Sequence, residues 1–309
     1  MGRPTQSRPD RDTFEMDLRA GHVVVGVDPE RGGRLTSARI GGHELLVAAR
    51  DPGGDSRLWG SYLMAPWVGR LEGASFGGPG SGVGPISGVG GPHRFVADQG
   101  PHAMHGLVLD RPWTVVASNA RSVTLRIALG DLGWPFRGWA GQRIRVWPDR
   151  IRCDAWISAD RPAPVALGWH PWFRRGDATT DAVLLDAAEV LETRSDLVAT
   201  GRRLPLDAVT DLGSSRPLGD RRLDHSYLRP SSPATLRVAP VTLRIEFSRR
   251  VCAVHVHTPE GGICVEPMTA WPNAANLAAA GVRGTGLARL PAGGRLAASM
   301  RWRWTMDPS

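Results

Sequence analysis

The chain contains no lysine, so all 38 of its basic residues are arginine. That absence removes several chemistries at once: a Walker-type phosphate lysine, a kinase-type lysine and a Schiff base on a lysine amine. Cysteine is scarce too, with Cys153, Cys252 and Cys264 the only three in 309 residues. Three is an odd number, and the spacing fits neither a disulfide framework nor a zinc site. Each lies in an alternating apolar stretch, so they read as small core residues of a reducing compartment. No run of about 18 apolar residues is present to span a membrane. The stretch from Met1 to Asp12 is charged and carries proline. It lacks the apolar centre of a signal peptide, and Gln6 stands where a myristoylation signal has Ser or Thr. A cytoplasmic protein with a disordered tail over residues 1–13 is expected. No internal repeat stands out. No Gly-x-Ser-x-Gly elbow occurs, although residue order alone leaves a Ser-His-Asp arrangement open.

What is present is period-two alternation, the mark of half-buried strands. In Val123-Thr124-Leu125-Arg126-Ile127-Ala128-Leu129 the odd positions are apolar. Ile144 and Val146 alternate with Arg143, Arg145 and Trp147. After a turn at Pro148-Asp149 the pattern resumes with Ile151, Cys153, Ala155 and Ile157, which predicts a hairpin with one face in a core and one in water. Val241 to Phe247, Val251 to His257 and Leu296 to Met306 repeat it. Helical periodicity is scarce; Ala274 to Ala280 and Ala187 to Glu192 are the two candidates for short helices. Gly73 to Pro92 is rich in glycine, but Pro85 stands at the third glycine position of a dinucleotide fingerprint, so a flexible hairpin insertion is expected. Asp51 to Gly54 and Asp211 to Pro217 read as loops between strands. With 41% apolar residues, the expectation is an all-β fold: residues 14–309 as one large antiparallel β-sandwich of two packed sheets. The net charge of +8 invites a nucleic-acid reading. The arginines are spread along strands rather than clustered with aromatics, so a solvated face is expected and neither nucleic acid nor membrane is a predicted partner.

Five short segments concentrate polar residues among turn-formers and aromatics. Pro66-Trp67-Val68-Gly69-Arg70 places an arginine after a tight turn. His102-Ala103-Met104-His105-Gly106 places a histidine before a glycine. Gly168-Trp169-His170-Pro171-Trp172-Phe173 flanks a histidine with aromatics. Leu223-Asp224-His225-Ser226-Tyr227 presents an acid. Ile263-Cys264-Val265-Glu266-Pro267-Met268 brings one carboxylate to the end of an apolar strand, before a loop of prolines and asparagines. Taken singly, each residue has an ordinary explanation: a core histidine, a surface charge, a turn cap. Together they suit a sugar site, because sugars offer hydroxyls to Arg, Asp and Glu and apolar faces to Trp and Phe. His255-Val256-His257 also puts two imidazoles on one face of a strand. No third metal ligand is indicated, and a structural or solvent-facing role is expected for that pair.

In their order along the chain these segments resemble the aldose 1-epimerases, or mutarotases. His170-Pro171-Trp172-Phe173 and Glu266-Pro267-Met268-Thr269 carry the resemblance most specifically. It implies a β-sandwich of the galactose mutarotase type with the site in a cleft on one sheet, needing neither cofactor nor metal. It implies Glu266 as general base, His170 as general acid and His105 assisting at the ring oxygen. Arg70, Asp224 and Trp172 would hold the sugar. There are departures from the family pattern. Gly69 stands where many bacterial relatives carry Asn, Met268 where galactose mutarotases usually carry Gln, and Trp172 where Tyr is usual. The implied reaction interconverts the α and β anomers of a hexose. Two alternatives are a 1-epimerase of hexose 6-phosphates or other anionic sugars, and a carbohydrate-binding module without turnover. Arg94 and Arg174 are the arginines near matched motifs that an anionic substrate would call on.

Overall fold

The computed structural model describes residues 15–49, 55–76, 93–214 and 216–307. The expected tail over residues 1–13, the Asp51–Gly54 joint and the Gly-rich stretch over residues 77–92 lie outside them.

The expected hairpin closes as the pattern requires. Trp139–Trp147 and Arg150–Ser158 pair antiparallel with Ile144 opposite Cys153 and Val146 opposite Ile151. Along Arg150–Ser158 buried and half-exposed residues alternate without a break, the pattern of a strand wet on one face only. These strands lie within an eight-stranded sheet that also holds Ser122–Ala128, Arg295–Met306 and Val241–Phe247. Its outward face departs from expectation, because arginines there do stack on aromatics. Arg126 lies 4.6 Å over Trp139, Arg150 4.3 Å over Trp147, and Arg295 4.7 Å over Trp156. Asp154 pairs with Arg145 and Arg152, and Glu246 with Arg301.

A second, eleven-stranded sheet packs against the first. Its middle strands follow a different rule. Ser61–Met64, Gly168–Phe173 and Ile263–Met268 are buried at every residue. Alternation is still present but hidden, because both faces are covered. Leu63, Trp169, Phe173, Ile263 and Val265 point into the core shared with the eight-stranded sheet. Tyr62, Met64, Trp172, Cys264 and Met268 point the other way, into a second apolar cluster that loops close over. Burying each such side chain stabilises the fold by about 1.5–3 kcal/mol, so both faces are committed to packing.

The short helix expected near Ala274 forms as Ala274–Ala279. The one expected over Ala187 to Glu192 does not: Glu189–Thr193 is a strand, paired antiparallel with Ala199–Pro205 and Asp224–Leu228. Val190 and Leu191 suit a pleated surface, and the neighbouring strand supplies backbone partners that an isolated turn of helix lacks. Among the described residues no helix is long and apolar enough to cross a membrane.

Candidate active site

Five neighbouring strands of the larger sheet run in the spatial order Ser61–Met64, Gly168–Phe173, Ile263–Met268, Ala253–His257 and Asp224–Leu228. Register lines up side chains across them. Tyr62 lies opposite His170, His255 opposite Glu266, and Ser226 opposite His255. The pairs Gly168–Met268 and Trp172–Cys264 bracket His170 against Glu266. One row across the sheet therefore reads Tyr62, His170, Glu266, His255, Ser226. The adjacent row reads Trp172, Cys264, His257, Asp224. Alternation puts both rows on the face turned away from the inter-sheet core. The strand reading of Glu266 needs a correction: it sits within Ile263–Met268, two residues before its end, on the floor of the cleft rather than on its rim.

Loops bring the remaining groups over this floor. Arg70 pairs with Met104 and Leu71 with Ala103, while the His105 N–H donates to the Gly69 carbonyl at 3.0 Å. The Arg70 and His105 loops are thus one unit. Gly69 has φ +61°, and a Cβ there would meet Pro272 at 2.7 Å, so a side chain in its place would be strained and crowded. His105 itself has φ +61°, an uncommon conformation for a non-glycine residue. Gly106, at φ +84°, follows it, and a Cβ there would lie 1.9 Å from the Ala65 carbonyl oxygen. The loop is pressed onto the strand below it.

All six residues singled out from sequence (Arg70, His105, His170, Trp172, Asp224 and Glu266) line one cavity of about 350 Å³. Arg57, Met104, Ser226, His255 and His257 line it as well. Arg94 and Arg174 border other cavities. The Arg70 side chain makes no ion pair or hydrogen bond among the described residues.

Nε2 of His170 and Oε1 of Glu266 stand 3.2 Å apart, both side chains buried. The two groups are in direct contact. His170 is sandwiched, its ring stacked on Tyr62 at 4.8 Å and on Trp172 at 5.5 Å, with His105 edge-on at 4.9 Å. Such dry surroundings favour the neutral form of each group. Burial pushes the Glu266 carboxyl up to about 8, against the pull of His255. Burial, followed by the neighbouring imidazoles His105, His255 and His257, holds His170 well below the ordinary histidine value. Burial, with His255 and the arginines Arg70 and Arg57, lowers His105 to about 3. Nδ1 of His170, both ring nitrogens of His105 and Oε1 of Glu266 make no hydrogen bond among the described residues. Buried polar groups without partners are uncommon, and here they converge on one space.

Asp224 behaves in the opposite way. Burial would raise its carboxyl, but the hydrogen bond and charge of His255, with His257 and Arg70, hold it well below the usual carboxylate range. His255 Nε2 lies 2.9 Å from Asp224 Oδ1 and its Nδ1 3.0 Å from Ser226 Oγ. The ring nitrogens of His255 are therefore already partnered, which removes it from the pairing of His255 with His257 as metal ligands. His170, Cys264 and Glu266 do bring ligand atoms within 4.8 Å of one another. Burial, with the charges of Glu266 and Asp224, raises the Cys264 thiol far above its ordinary value.

Sequence reasoning missed Tyr62, Arg57 and Ser226 as parts of the site, and gave His255 a structural role. The only available signal was that His255 and His257 share a strand face. Which face, and opposite what, depends on register with strands distant in sequence.

The fold recurs in solved structures. The aldose epimerase homologue from C. elegans superimposes with a TM-score of 0.79 at 15% identity, covering 95% of this chain and 99% of that one. Galactose 1-epimerase from Lactobacillus acidophilus NCFM gives 0.76 at 14%, with 98% of each chain covered. A galactose mutarotase-like protein from Clostridium acetobutylicum gives 0.78 at 12%, with 94% of each covered. No curated protein matches by sequence. The aldose 1-epimerase family model matches residues 27–301, nearly the whole of both sheets and every residue of the cleft, and the chain belongs to that family.

Proposed function

We propose that the protein is an aldose 1-epimerase that interconverts the α and β anomers of a hexose by acid–base ring opening. The observation that carries this is the Glu266–His170 contact, a buried carboxyl and imidazole 3.2 Å apart at the base of a sugar-sized cavity. Mutarotation removes a proton from the anomeric hydroxyl and delivers one to the ring oxygen. Both oxygens hang on the same carbon, so an acid and a base that serve them must be close neighbours, as these are.

Proton inventory supports the same reading. Burial raises Glu266 to about 8 and depresses His170, so at neutral pH the pair holds one proton between them. Once sugar binding aligns the contact into a hydrogen bond, passing that proton across it gives a carboxylate and an imidazolium. Glu266 then takes the O1 proton while His170 protonates the ring oxygen, and the ring opens. Rotation about C1–C2 and reclosure with the roles exchanged gives the other anomer. The proton count returns to its starting value, so nothing is consumed. His105, neutral and edge-on to His170, would in this reading hydrogen-bond at the ring oxygen. Asp224 and Arg70, which line the same cavity, would hold hydroxyls, and Trp172 would offer an apolar face.

The test is anomer exchange followed by NMR on a panel of hexoses. Glu266→Gln is expected to lower the rate by roughly 10²–10⁴-fold. Equal rates for wild type and variant on every sugar would sink the proposal. Saturable binding with no exchange by the wild type would identify a binding module instead. Arg57 and Arg70 in the cavity lining favour including a second reading, an anionic sugar. Comparing glucose with its 6-phosphate in the same assay decides between the two.

A further inference from the structure

His255 has a place that neither the base nor the acid explains. It stands directly opposite Glu266 on the neighbouring strand, with its Nε2 on Asp224 Oδ1 at 2.9 Å. We propose that His255 is a positioning residue of this site, a charged imidazole held between the carboxylates of Asp224 and Glu266 that orients the first and electrostatically supports the ionised form of the second. The proposal rests on the acid–base reading above, but part of its test does not.

Hydrogen-bond logic fixes the ring. A carboxylate only accepts, so Nε2 must carry the hydrogen given to Asp224. Nδ1 faces Ser226 Oγ at 3.0 Å. A hydroxyl can donate to a bare Nδ1 or accept from a protonated one. His255 therefore gains or loses its second proton with no more than a rotation of the Ser226 hydroxyl, and remains in place in both states. Asp224, with Oδ1 engaged, is left with Oδ2 for a substrate hydroxyl.

The surrounding charges favour the protonated ring. Glu266 faces it from one neighbouring strand and Asp224 from the other. Arg70 from the loop above opposes it, and His257 on its own strand is itself lowered by burial and by His255. Burial would lower its proton affinity; the bond and charge of Asp224 oppose burial throughout, the charge of Glu266 joins them once that carboxyl ionises, and together they raise His255 above the ordinary histidine value. The effect is reciprocal: His255 is the main charge pulling Glu266 down against burial.

The experiment is His255→Gln, which keeps a hydrogen-bond donor for Asp224 and removes the charge. Removing an opposite charge at this range raises a carboxyl pKa by roughly 1–3 units. The alkaline limb of kcat/KM for anomer exchange, set by loss of the last proton from the Glu266–His170 pair, is expected to move to higher pH by that amount. A uniform loss of rate at every pH, with the limb unmoved, is what a merely structural role gives, and would overturn the proposal. An NMR titration of the wild-type imidazoles supplies the independent arm. A His255 midpoint above the ordinary 6.5 supports the inference, and one at or below it overturns the inference, whether or not any sugar is turned over. A wild type without exchange would count against the proposed function alone.

Discussion

Replacing Glu266 by Gln should make the protein more stable, by an amount that grows with pH. Glu266 is 2% exposed and its carboxyl is pushed by burial from 4.5 to about 8. The folded state thus binds the Glu266 proton more tightly than the unfolded chain does. The sign follows from linkage: this preference contributes fully below pH 4.5 and is lost as pH rises through about 8. At 1.36 kcal/mol per pH unit, keeping Glu266 protonated costs the fold about 3 kcal/mol at pH 7, and carrying it ionised costs on the order of 5 kcal/mol above pH 8. Gln has nearly the same shape and does not titrate. The difference between the two proteins should be under about 1 kcal/mol at pH 5 and approach the full value above pH 8. His105 and His170 act in the other direction. Both are held neutral in the folded state, so acidification below 6.5 favours the unfolded chain. That slope is common to both proteins and is removed to first order by subtraction. Urea denaturation at fixed ionic strength, from pH 5 to pH 9, measures the difference directly. A stability difference that stays constant over this range would refute the argument that Glu266 is a dry, strained acid.

Three further outcomes follow from the same geometry. The value of kcat/KM for anomer exchange should be level through neutrality and fall above about pH 8, as the Glu266–His170 pair loses its last proton; a rise through pH 8 would refute the one-proton pair. The His105 ring, lowered to about 3 by burial, should show no titration in NMR spectra between pH 5 and pH 8. Arg34 is fully buried over Trp59, with its guanidinium donating to the carbonyls of Arg31, Ser56, Trp59 and Leu109. Arg34→Met leaves those acceptors unpaired and should lower stability by about 3–5 kcal/mol in urea melts.

The legible part of the fold was the part wet on one side. Arg150–Ser158 alternates in the sequence because one of its faces meets solvent. Ile263–Met268 looks like a plain apolar run because the second face is covered as well, and the two faces differ in chemistry rather than in polarity. The candidate residues were legible because carboxylates, imidazoles and arginine are unusual between aromatics and prolines. Their mutual distances were not. His255 joins Glu266 through strand pairing, and Ser226 joins His255 from 29 residues away, so neither neighbour is visible in a local window. The same holds for Glu189–Thr193, where pairing with Ala199–Pro205 overrode a short helical pattern.

A fully covered sheet face also explains why this site can hold its protons as it does. A carboxylate on an exposed loop would stay near its ordinary value and an exposed imidazole near 6.5. Such a pair would hold one proton only across a narrow range of pH. Here Tyr62 and Trp172 stack on His170 from both sides, and the strand below allows Glu266 no route to solvent except the cavity. Burial carries the two values past each other, Glu266 upward and His170 downward, so that the one-proton range reaches through neutrality to about 8 and the proton rests on the carboxyl rather than the imidazole. The penalty is the ionisation cost of Glu266, which the fold offsets through Ile263 and Val265 packing on the opposite face of the same strand. The carboxyl and its apolar support thus alternate along six residues. A substitution such as Val265→Ala should therefore lower stability, by about 1–3 kcal/mol, while leaving the alkaline limb of activity in place. Glu266→Gln should do the reverse, gaining stability and losing the reaction. If Val265→Ala instead shifted the limb, the two faces of the strand would not be independent, and the separation of packing from proton chemistry argued from the row structure would fail.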